Sequence, residues 1–157
     1  MITALRKSYA PLMLACLALA ALFILAPMAR AADFSFDSID GGKIDLADWR
    51  GKPVLVVNTA SRCGFTPQYD ALQELHDRYG SRGLLVLAVP SNDFRQELSS
   101  EEEVKEFCDV NFDLTLPMTT ITHVKWAKAH PFYRWVQDTA GFTPGWNFNK
   151  ILIGPDG

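Results

Sequence analysis

The chain has 157 residues, of which 48% are hydrophobic and 21% charged, and its formal net charge is −3. This length suits one domain with a substantial core and is too short for two. The acidic balance and the lack of a basic stripe argue against nucleic acid and anionic membrane surfaces as partners.

The first 31 residues have the pattern of a signal peptide. Arg6 and Lys7 form a short basic region, an apolar stretch covers residues 12–26, and residues 29–31 (ARA) have the small-x-small form of a cleavage site. An uncleaved membrane anchor is the alternative, but 15 apolar residues fall short of the roughly 20 that a spanning helix needs. We therefore expect cleavage before Ala32 and export to the periplasm or the extracellular space.

The domain that would remain, residues 32–157, shows alternating strand and helix patterns. Its first elements are an edge hairpin with a Gly41-Gly42 turn (34–46), a strand (54–58), an amphipathic helix ended by Gly80 (67–79) and a second strand (84–89). Short, wholly apolar strands are typical of a parallel sheet that is buried on both faces. The pattern therefore predicts a β–α–β unit and an α/β fold.

Three further elements are predicted in the second half of the chain. They are a helix opened by a Ser100–Glu103 capping box (101–110), a third helix (130–138) and a third buried strand (150–153). The chain then stops at a turn signature, PDG, where a partner strand would normally follow. Because an uncovered sheet edge is an aggregation hazard, we expect the sequence to be a fragment that lacks its last strand and helix.

Cys63 is the first candidate functional residue. It follows the first apolar strand, in a polar loop that ends at Thr66 and Pro67. Threonine is a common N-cap and proline is favoured at the first helical position, so the helix is predicted to begin just after the cysteine. A helix N-terminus favours a thiolate, which makes Cys63 a candidate reactive thiol; a small, buried, unreactive cysteine is the alternative.

Cys108 is the second cysteine of the predicted domain, since Cys16 would leave with the signal peptide. In an exported protein, Cys63 and Cys108 could form a structural disulfide, or Cys108 could resolve a sulfenic acid on Cys63. A Cys-x-x-Cys pair, typical of disulfide oxidoreductases, is absent from the sequence. No metal or other cofactor is expected, because the three histidines have no zinc-ligand spacing with either cysteine and are assigned to the surface or to packing: His76, His123 and His130.

Four sequence blocks resemble the glutathione peroxidase family, and they occur in the family's order. The blocks are NTASRCGFT at 58–66, VPSNDFRQE at 89–97, EFC at 106–108 with LPM at 116–118, and WNFNK at 146–150. One such block would mean little, whereas four together are highly specific. The resemblance covers nearly all of residues 34–157 and implies a thioredoxin-like fold, with a central mixed sheet flanked by helices.

The resemblance also implies roles for individual residues. Cys63 matches the peroxidatic cysteine, and the rest of the family's catalytic tetrad is matched by Gln96, Trp146 and Asn147. Amide and indole N–H groups suit these roles because they donate hydrogen bonds to an anionic sulfur and can orient a hydroperoxide. There are two departures in the second block: it is one residue shorter than usual, with Arg95 where glycine is common, and Asp93 replaces the commoner glutamine.

Cys108 matches the resolving cysteine of the thioredoxin-dependent subgroup. In addition, the segment between His130 and Trp146 lacks the insertion found in tetrameric, glutathione-using members. The resemblance thus implies a monomeric thiol peroxidase that reduces hydrogen peroxide or organic and lipid hydroperoxides in response to oxidative stress. Its reductant would be a thioredoxin-like protein rather than glutathione.

Two other hypotheses remain open from the sequence. A peroxiredoxin would share the fold, but Ala60 stands where those enzymes have threonine, and no proline lies between Pro53 and Cys63. The non-enzymatic alternative is an exported thioredoxin-fold binding or redox-signalling module, in which Cys63 and Cys108 form a permanent disulfide.

Overall fold

The computed structural model describes residues 30–157, so the predicted signal peptide lies outside the described residues except for its last two. The strands are Ser35–Asp37 (β1), Lys43–Asp45 (β2), Val54–Thr59 (β3), Leu85–Pro90 (β4) and Lys150–Ile153 (β5). The helices are Gln68–Tyr79 (α1), Glu101–Phe112 (α2) and Pro131–Ala140 (α3). Between residues 30 and 157, none of the helices has the length and apolar character required to cross a membrane.

The central sheet is mixed, and β3 lies in its middle, in the order β4-β3-β5. β4 pairs with β3 in parallel, with Val54 opposite Leu85, and β5 pairs with it antiparallel, with Val57 opposite Lys150. Every residue of β4 is buried, and β3 is buried except at Leu55. The β–α–β unit predicted from the two apolar runs is therefore confirmed.

β5 differs from the prediction, because it is an edge strand and not a buried one. Lys150 is exposed and Leu152 is 70% exposed, whereas Ile153 is buried. Side chains alternate between the two faces of a strand, and only one face of β5 is covered. Because β5 contains an apolar run, its sequence does not show which of its side chains are exposed.

The N-terminal hairpin forms as predicted but is not an edge of the central sheet. β1 and β2 pair antiparallel in a two-stranded sheet of their own, and an isolated bridge links Ser38 to Thr119. Gly41 and Gly42 have φ values of +90° and +78°, in the left-handed region that favours glycine. The glycine pair is therefore required by the turn.

Two helix ends also differ in detail from the sequence-based expectation. The chain leaves α1 through a 3-10 turn, Gly80–Arg82, and the left-handed residue that ends it is Gly83, with φ +100°, rather than Gly80. Ser100 caps α2 as predicted, since its Oγ accepts the Glu103 N–H, but α2 continues to Phe112.

Two hydrophobic clusters cover the two faces of the central sheet. Side chains alternate along β3, so Val56 belongs to one cluster and Val57 to the other. α3 packs on the Val56 side through Phe132, whereas α1 and α2 pack on the Val57 side. Helices thus flank both faces of the sheet, and both cysteines lie in the cluster formed with α1 and α2: Cys63 and Cys108.

His130 joins the hairpin to α3 and is a packing residue, as expected. Its Nδ1 accepts the Phe132 N–H at 3.2 Å, its Nε2 lies 3.0 Å from the Ser35 carbonyl oxygen, and its ring stacks on Phe36 with centroids 4.1 Å apart. These contacts require a neutral ring with its proton on Nε2. Burial lowers the pKa of His130 below its ordinary value.

Acid should therefore destabilise the fold through His130. Because the folded pKa is the lower one, the contribution to the free energy of unfolding is complete above about pH 6.5 and is lost as the pH falls through the folded pKa. His130→Asn keeps a capping side chain but does not titrate. In urea unfolding, its free energy of unfolding should fall less between pH 7.5 and pH 5 than that of the unaltered protein. His76→Asn is the control. If His130→Asn lost as much free energy of unfolding over this pH range as the unaltered protein, His130 would not be the cause of the acid effect.

Candidate active site

Cys63 lies in the loop between β3 and α1, and Thr66 holds the backbone of this loop. The Thr66 hydroxyl donates to the Cys63 carbonyl oxygen at 2.6 Å and accepts the Cys63 N–H at 3.2 Å. The predicted helix cap is therefore wrong: the N-cap position is Pro67, no side chain caps the helix, and α1 begins at Gln68. The threonine hydroxyl fixes the cysteine backbone instead.

The Cys63 side chain is largely buried, with 7% exposure, but a donor reaches its sulfur. The Phe65 N–H points to Sγ, with nitrogen and sulfur 3.4 Å apart. A backbone N–H in this position can donate to an anionic sulfur. Because the Phe65 side chain is 50% exposed, the loop lies at the surface of the domain.

The loop that follows β4 is hydrogen-bonded to the Cys63 loop at two successive residues. The Gln96 carbonyl oxygen accepts the Arg62 N–H at 2.9 Å, and Glu97 Oε1 accepts the Ser61 N–H, also at 2.9 Å. β3 and β4 are parallel neighbours, so the two loops leave the sheet from the same edge. The pairing of strands thus brings the Gln96 segment to the cysteine.

Arg95 sets the direction of the chain immediately before Gln96. Its N–H bonds to the Asn92 carbonyl oxygen at 2.9 Å, and its φ is +58°. This left-handed conformation costs a residue with a side chain about 1 kcal/mol and costs glycine almost nothing. The chain therefore makes a left-handed turn at Arg95, the position at which the resemblance leads one to expect glycine.

Asp93 anchors the other side of the same loop. Its Oδ2 accepts the N–H groups of Val124 at 2.7 Å and Lys125 at 3.1 Å, and its Oδ1 lies 2.7 Å from His123 Nδ1. The aspartate thus ties the loop after β4 to the segment that leads into α3. His123 is an exposed residue paired with this carboxylate.

Asn58, the buried polar residue near the end of β3, fixes the segment that carries Trp146 and Asn147. Its Nδ2 donates to the Trp146 carbonyl oxygen at 2.9 Å, and its Oδ1 accepts the Asn149 N–H at 3.1 Å. The Asn58 carbonyl oxygen accepts the Phe148 N–H at 2.6 Å, and Phe148 is left-handed with φ +60°. One side chain on the central strand therefore shapes the third loop of the site.

The side chains of Gln96 and Asn147 meet directly. Asn147 is buried, and its Nδ2 donates to Gln96 Oε1 at 2.9 Å. With its carbonyl oxygen occupied in this way, Gln96 has its NH₂ group left to donate. Trp146 is 44% exposed and packs on Phe94, with ring centroids 5.3 Å apart.

The structure thus brings three of the predicted segments to one edge of the sheet: the Cys63 loop, the Gln96 loop and the Trp146–Asn147 segment. Asn147 can fix the orientation of the Gln96 side chain, the Gln96 backbone is bonded to the loop of Cys63, and the Phe65 N–H reaches Cys63 Sγ. Donors fixed in place before reaction suit a step in which charge develops on sulfur or oxygen. Within residues 30–157, no group of three or more His, Cys, Asp or Glu side chains could hold a metal ion.

Cys108 lies on α2, in the same hydrophobic cluster as Cys63, and is 1% exposed. Burial raises the pKa of the Cys108 thiol to about 12; the Tyr69 hydroxyl acts in the opposite sense, and the carboxylates of Glu97 and Asp109 add to the rise. Cys63 and Cys108 are both free thiols. A buried and protonated Cys108 must lose its proton before it can attack another sulfur.

The sequence-based prediction gave no role to Asn58 or Glu97. Asn58 carries a signal in the sequence, since it is a polar residue near the end of an otherwise apolar strand. Glu97 carries a weaker one, as a carboxylate next to the predicted catalytic glutamine. Their long-range partners, Trp146 for Asn58 and Ser61 for Glu97, could not be read from either local pattern.

The fold and the site define a class of protein: a thioredoxin-like domain with one cysteine, and no Cys-x-x-Cys partner, in the loop after its central strand, beside a pair of amide side chains. A family model described as "Glutathione peroxidase" matches residues 31–137. The chain is 41% identical over 130 residues to "Glutathione peroxidase" of Lactococcus lactis subsp. cremoris (strain MG1363), which covers 80% of this chain and 83% of that protein. It is 40% identical over 138 residues to "Hydroperoxy fatty acid reductase gpx1" of Synechocystis sp. (strain ATCC 27184 / PCC 6803 / Kazusa), over 79% of this chain and 80% of that protein.

Solved structures agree with these relatives. T. cruzi GPX1 superposes with a TM-score of 0.64 at 30% identity, over 82% of each chain. A thioredoxin domain of a Bacteroides vulgatus thiol-disulfide oxidoreductase has a TM-score of 0.57 at 17% identity, over 85% of this chain and 84% of that one, and shares the fold alone. The chain belongs to the glutathione peroxidase family and is a peroxidase with a thioredoxin-like fold. The family, fold and enzyme class predicted from the four sequence blocks are confirmed, while the roles of single residues stay predictions.

Proposed function

We propose that this peroxidase is an exported, monomeric enzyme that reduces hydrogen peroxide or organic and lipid hydroperoxides through Cys63 and Cys108, as part of the response to oxidative stress. The observation that carries the proposal is the Asn147–Gln96 hydrogen bond beside the loop of Cys63. The Synechocystis relative, named a hydroperoxy fatty acid reductase, supports a lipid hydroperoxide as one substrate. The signal-peptide pattern of residues 1–31 supports export.

In the first step, the Cys63 thiolate attacks the terminal oxygen of the hydroperoxide. A sulfur–oxygen bond forms, the oxygen–oxygen bond breaks, and the departing alkoxide or hydroxide takes up a proton. Cys63 is thereby oxidised to the sulfenic acid. The Gln96 NH₂ group, held by Asn147, and the Phe65 N–H are the donors that stabilise the charge as it moves from sulfur to oxygen.

In the second step, Cys108 attacks the Cys63 sulfenic acid, and water leaves as the disulfide forms. Because Cys108 is buried on α2, we expect this helix to open locally before the two sulfurs meet. A thioredoxin-like dithiol then reduces the disulfide and restores both thiols. Glutathione is the less suitable reductant, since the second cysteine makes an external thiol unnecessary for resolution.

The test is to treat the reduced protein with one equivalent of hydrogen peroxide and to follow its intact mass. We expect a loss of two hydrogen atoms and a peptide that links Cys63 to Cys108, followed by full reduction with thioredoxin. A disulfide that is present before peroxide and resists thioredoxin would favour a structural cross-link. A protein that leaves peroxide unconsumed would contradict the proposal.

The Asn147–Gln96 contact predicts non-additive effects on the first step. Gln96→Ala should lower the second-order rate constant for Cys63 oxidation on the order of a hundredfold, the effect of removing one preorganised donor. Asn147→Ala should lower it by about tenfold, and the double variant should be no slower than Gln96→Ala, because Asn147 acts through Gln96. Stopped-flow fluorescence with hydrogen peroxide measures all three.

Asn111→Ala is the matched control, because this exposed asparagine on α2 donates, within residues 30–157, only to the Phe107 carbonyl oxygen of its own helix. Its rate constant should equal that of the unaltered protein. Additive losses in the double variant would show that Asn147 and Gln96 act separately.

A further inference from the structure

Trp126 is an exposed aromatic residue in an unfavourable backbone conformation, and the proposed steps leave it unused. It is 67% exposed, and its φ is +61°, in the left-handed region that a bulky side chain rarely adopts. The loop that carries it is closed by a hydrogen bond from the His130 N–H to the His123 carbonyl oxygen at 2.8 Å. Because an exposed indole contributes little to the core, its strained position points to a role at the surface.

Lys125 connects Trp126 to the candidate active site. Its Nζ lies 3.9 Å from the centroid of the Trp126 ring and 3.9 Å from the centroid of the Phe94 ring. Phe94 in turn packs on Trp146, with ring centroids 5.3 Å apart. These four residues form a continuous aromatic strip, which has an exposed indole at each end. The Trp146 end adjoins Asn147, one of the two amide side chains of the site.

The backbone of the aromatic strip is fixed at its outer end. Asp93 Oδ2 accepts the N–H groups of Val124 at 2.7 Å and of Lys125 at 3.1 Å. The Ala129 N–H bonds to the Trp126 carbonyl oxygen at 3.1 Å. Hydrogen bonds to the backbone thus hold both residues and leave their side chains available. A site that is ordered in advance loses less conformational entropy when a ligand binds.

The outer end of the strip borders a surface cavity of about 380 Å³, a volume within the range of small-molecule sites. Lys125 and Trp126 line the cavity together with residues of α3, among them Tyr133 and Arg134. Within residues 30–157, neither Lys125 nor Arg134 forms an ion pair with a carboxylate. One carboxylate, that of Asp138, also lines the cavity, so its lining carries an excess of positive charge.

The Tyr133 hydroxyl is an unsatisfied polar group in the wall of this cavity. Tyr133 is 2% exposed, and its buried hydroxyl has no hydrogen-bond partner among the described residues. A buried hydroxyl without a partner is costly, so an oxygen of a bound ligand that accepts its proton gains free energy. One hydroxyl donor and two cations without carboxylate partners together suit an anion of the carboxylate type.

We propose that the aromatic strip and the cavity form a subsite for a free fatty-acid hydroperoxide. Its carboxylate binds in the cavity to Lys125, Arg134 and the Tyr133 hydroxyl, and its hydrocarbon chain lies across the exposed indoles toward Asn147. The indoles offer apolar surface to the chain, and the cations offer charge complementarity that a neutral hydroperoxide cannot use. The inference rests on the proposed function, because it names the class of lipid hydroperoxide that the same enzyme selects.

Two variants test the subsite: Lys125→Gln, which removes the charge, and Trp126→Gly, which removes the ring and suits the left-handed backbone. Stopped flow measures the second-order rate constants for Cys63 oxidation by linoleic acid hydroperoxide and by hydrogen peroxide. In each variant, we expect the ratio of the first constant to the second to fall by about tenfold, the effect of one charge-assisted bond or of a few buried CH₂ groups. Lys128→Gln is the matched control and should keep the ratio of the unaltered protein, because Lys128 is exposed on the same loop but lies outside the cavity lining.

The methyl ester of the same hydroperoxide tests the role of the carboxylate in the unaltered protein. The ester keeps the chain and the peroxide but has no charge, so it should react about tenfold more slowly than the acid. Equal rate constants for the acid and the ester would overturn the inference, and so would a ratio that stays unchanged in both Lys125→Gln and Trp126→Gly.

Calorimetric binding of laurate tests the subsite without peroxide chemistry. We expect laurate to bind to the unaltered protein, about tenfold more weakly to Lys125→Gln, and about tenfold more tightly than dodecyltrimethylammonium, which has a similar chain and the opposite charge. Peroxide consumption without any binding of laurate would overturn the subsite and leave the proposed function standing. Laurate binding in a protein that consumes no peroxide would instead contradict the proposed function and support the anion site.

Discussion

Replacing Cys63 with serine is expected to abolish peroxide consumption. A hydroxyl is not oxidised by hydroperoxide and is a far weaker nucleophile than a thiolate, so the turnover rate should fall on the order of a thousandfold or more. Serine is close in size to cysteine and can accept the Phe65 N–H, so the loop should keep its structure. The measurement is peroxide consumption with thioredoxin, thioredoxin reductase and NADPH.

Thermal unfolding provides the stability control for Cys63→Ser, and the midpoint should change by only a few degrees. A second control measures consumption of the first equivalent of peroxide. Cys108→Ser should still consume it, and Cys63→Ser should not. Peroxide consumption that survives in Cys63→Ser would place the reactive thiol elsewhere and would refute the proposed mechanism.

The central part of the fold could be predicted because burial leaves a clear trace in the sequence. β3 and β4 are apolar at nearly every position, and the structure buries them on both faces. The same reasoning was wrong for β5, whose apolar residues include Leu152 on the exposed face of an edge strand. The hairpin residues were predicted correctly, but local pattern cannot show which sheet a strand joins.

The site could be predicted only from the resemblance to the glutathione peroxidase family, because its contacts join residues far apart in the chain. Asn147 and Gln96 are separated by 51 positions, and their contact depends on the left-handed Arg95 and on the hydrogen bonds of Asn58. No periodicity encodes such a contact. The direction of the Glu97 carboxylate, toward the Ser61 N–H, could not be derived from the sequence for the same reason.

Both cysteines belong to one hydrophobic cluster, yet their surroundings differ in a way that suits a division of roles. Sγ of Cys63 accepts a backbone N–H at the edge of the sheet, whereas Cys108 is buried within α2, and burial raises its pKa to about 12. The structure thus gives the Cys63 sulfur a hydrogen-bond donor, whereas burial disfavours the thiolate of Cys108. A resolving thiol that is unreactive at rest would not compete for peroxide.

Replacing Cys108 with serine is expected to preserve the first turnover and stop the enzyme there when thioredoxin is the reductant. Cys63 should be oxidised at the unaltered rate, because the loop contacts through Thr66 and Gln96 do not involve α2. No disulfide can form, so the steady-state rate should fall on the order of a hundredfold. One equivalent of peroxide should disappear in a burst, leaving Cys63 as the sulfenic acid.

Stopped-flow measurement of the burst and intact mass of the product check this expectation, and Cys108→Ala is the matched control for the polarity of serine in a buried position. Either variant should cost about 1 kcal/mol in the free energy of unfolding.

Repeating the assay with glutathione in place of thioredoxin identifies the reductant. Partial recovery of turnover with glutathione alone would mean that an external thiol can reach the oxidised Cys63 directly. Full multiple turnover with thioredoxin in both variants would show that Cys108 is not the resolving cysteine, because the reductant would then be attacking Cys63 without it.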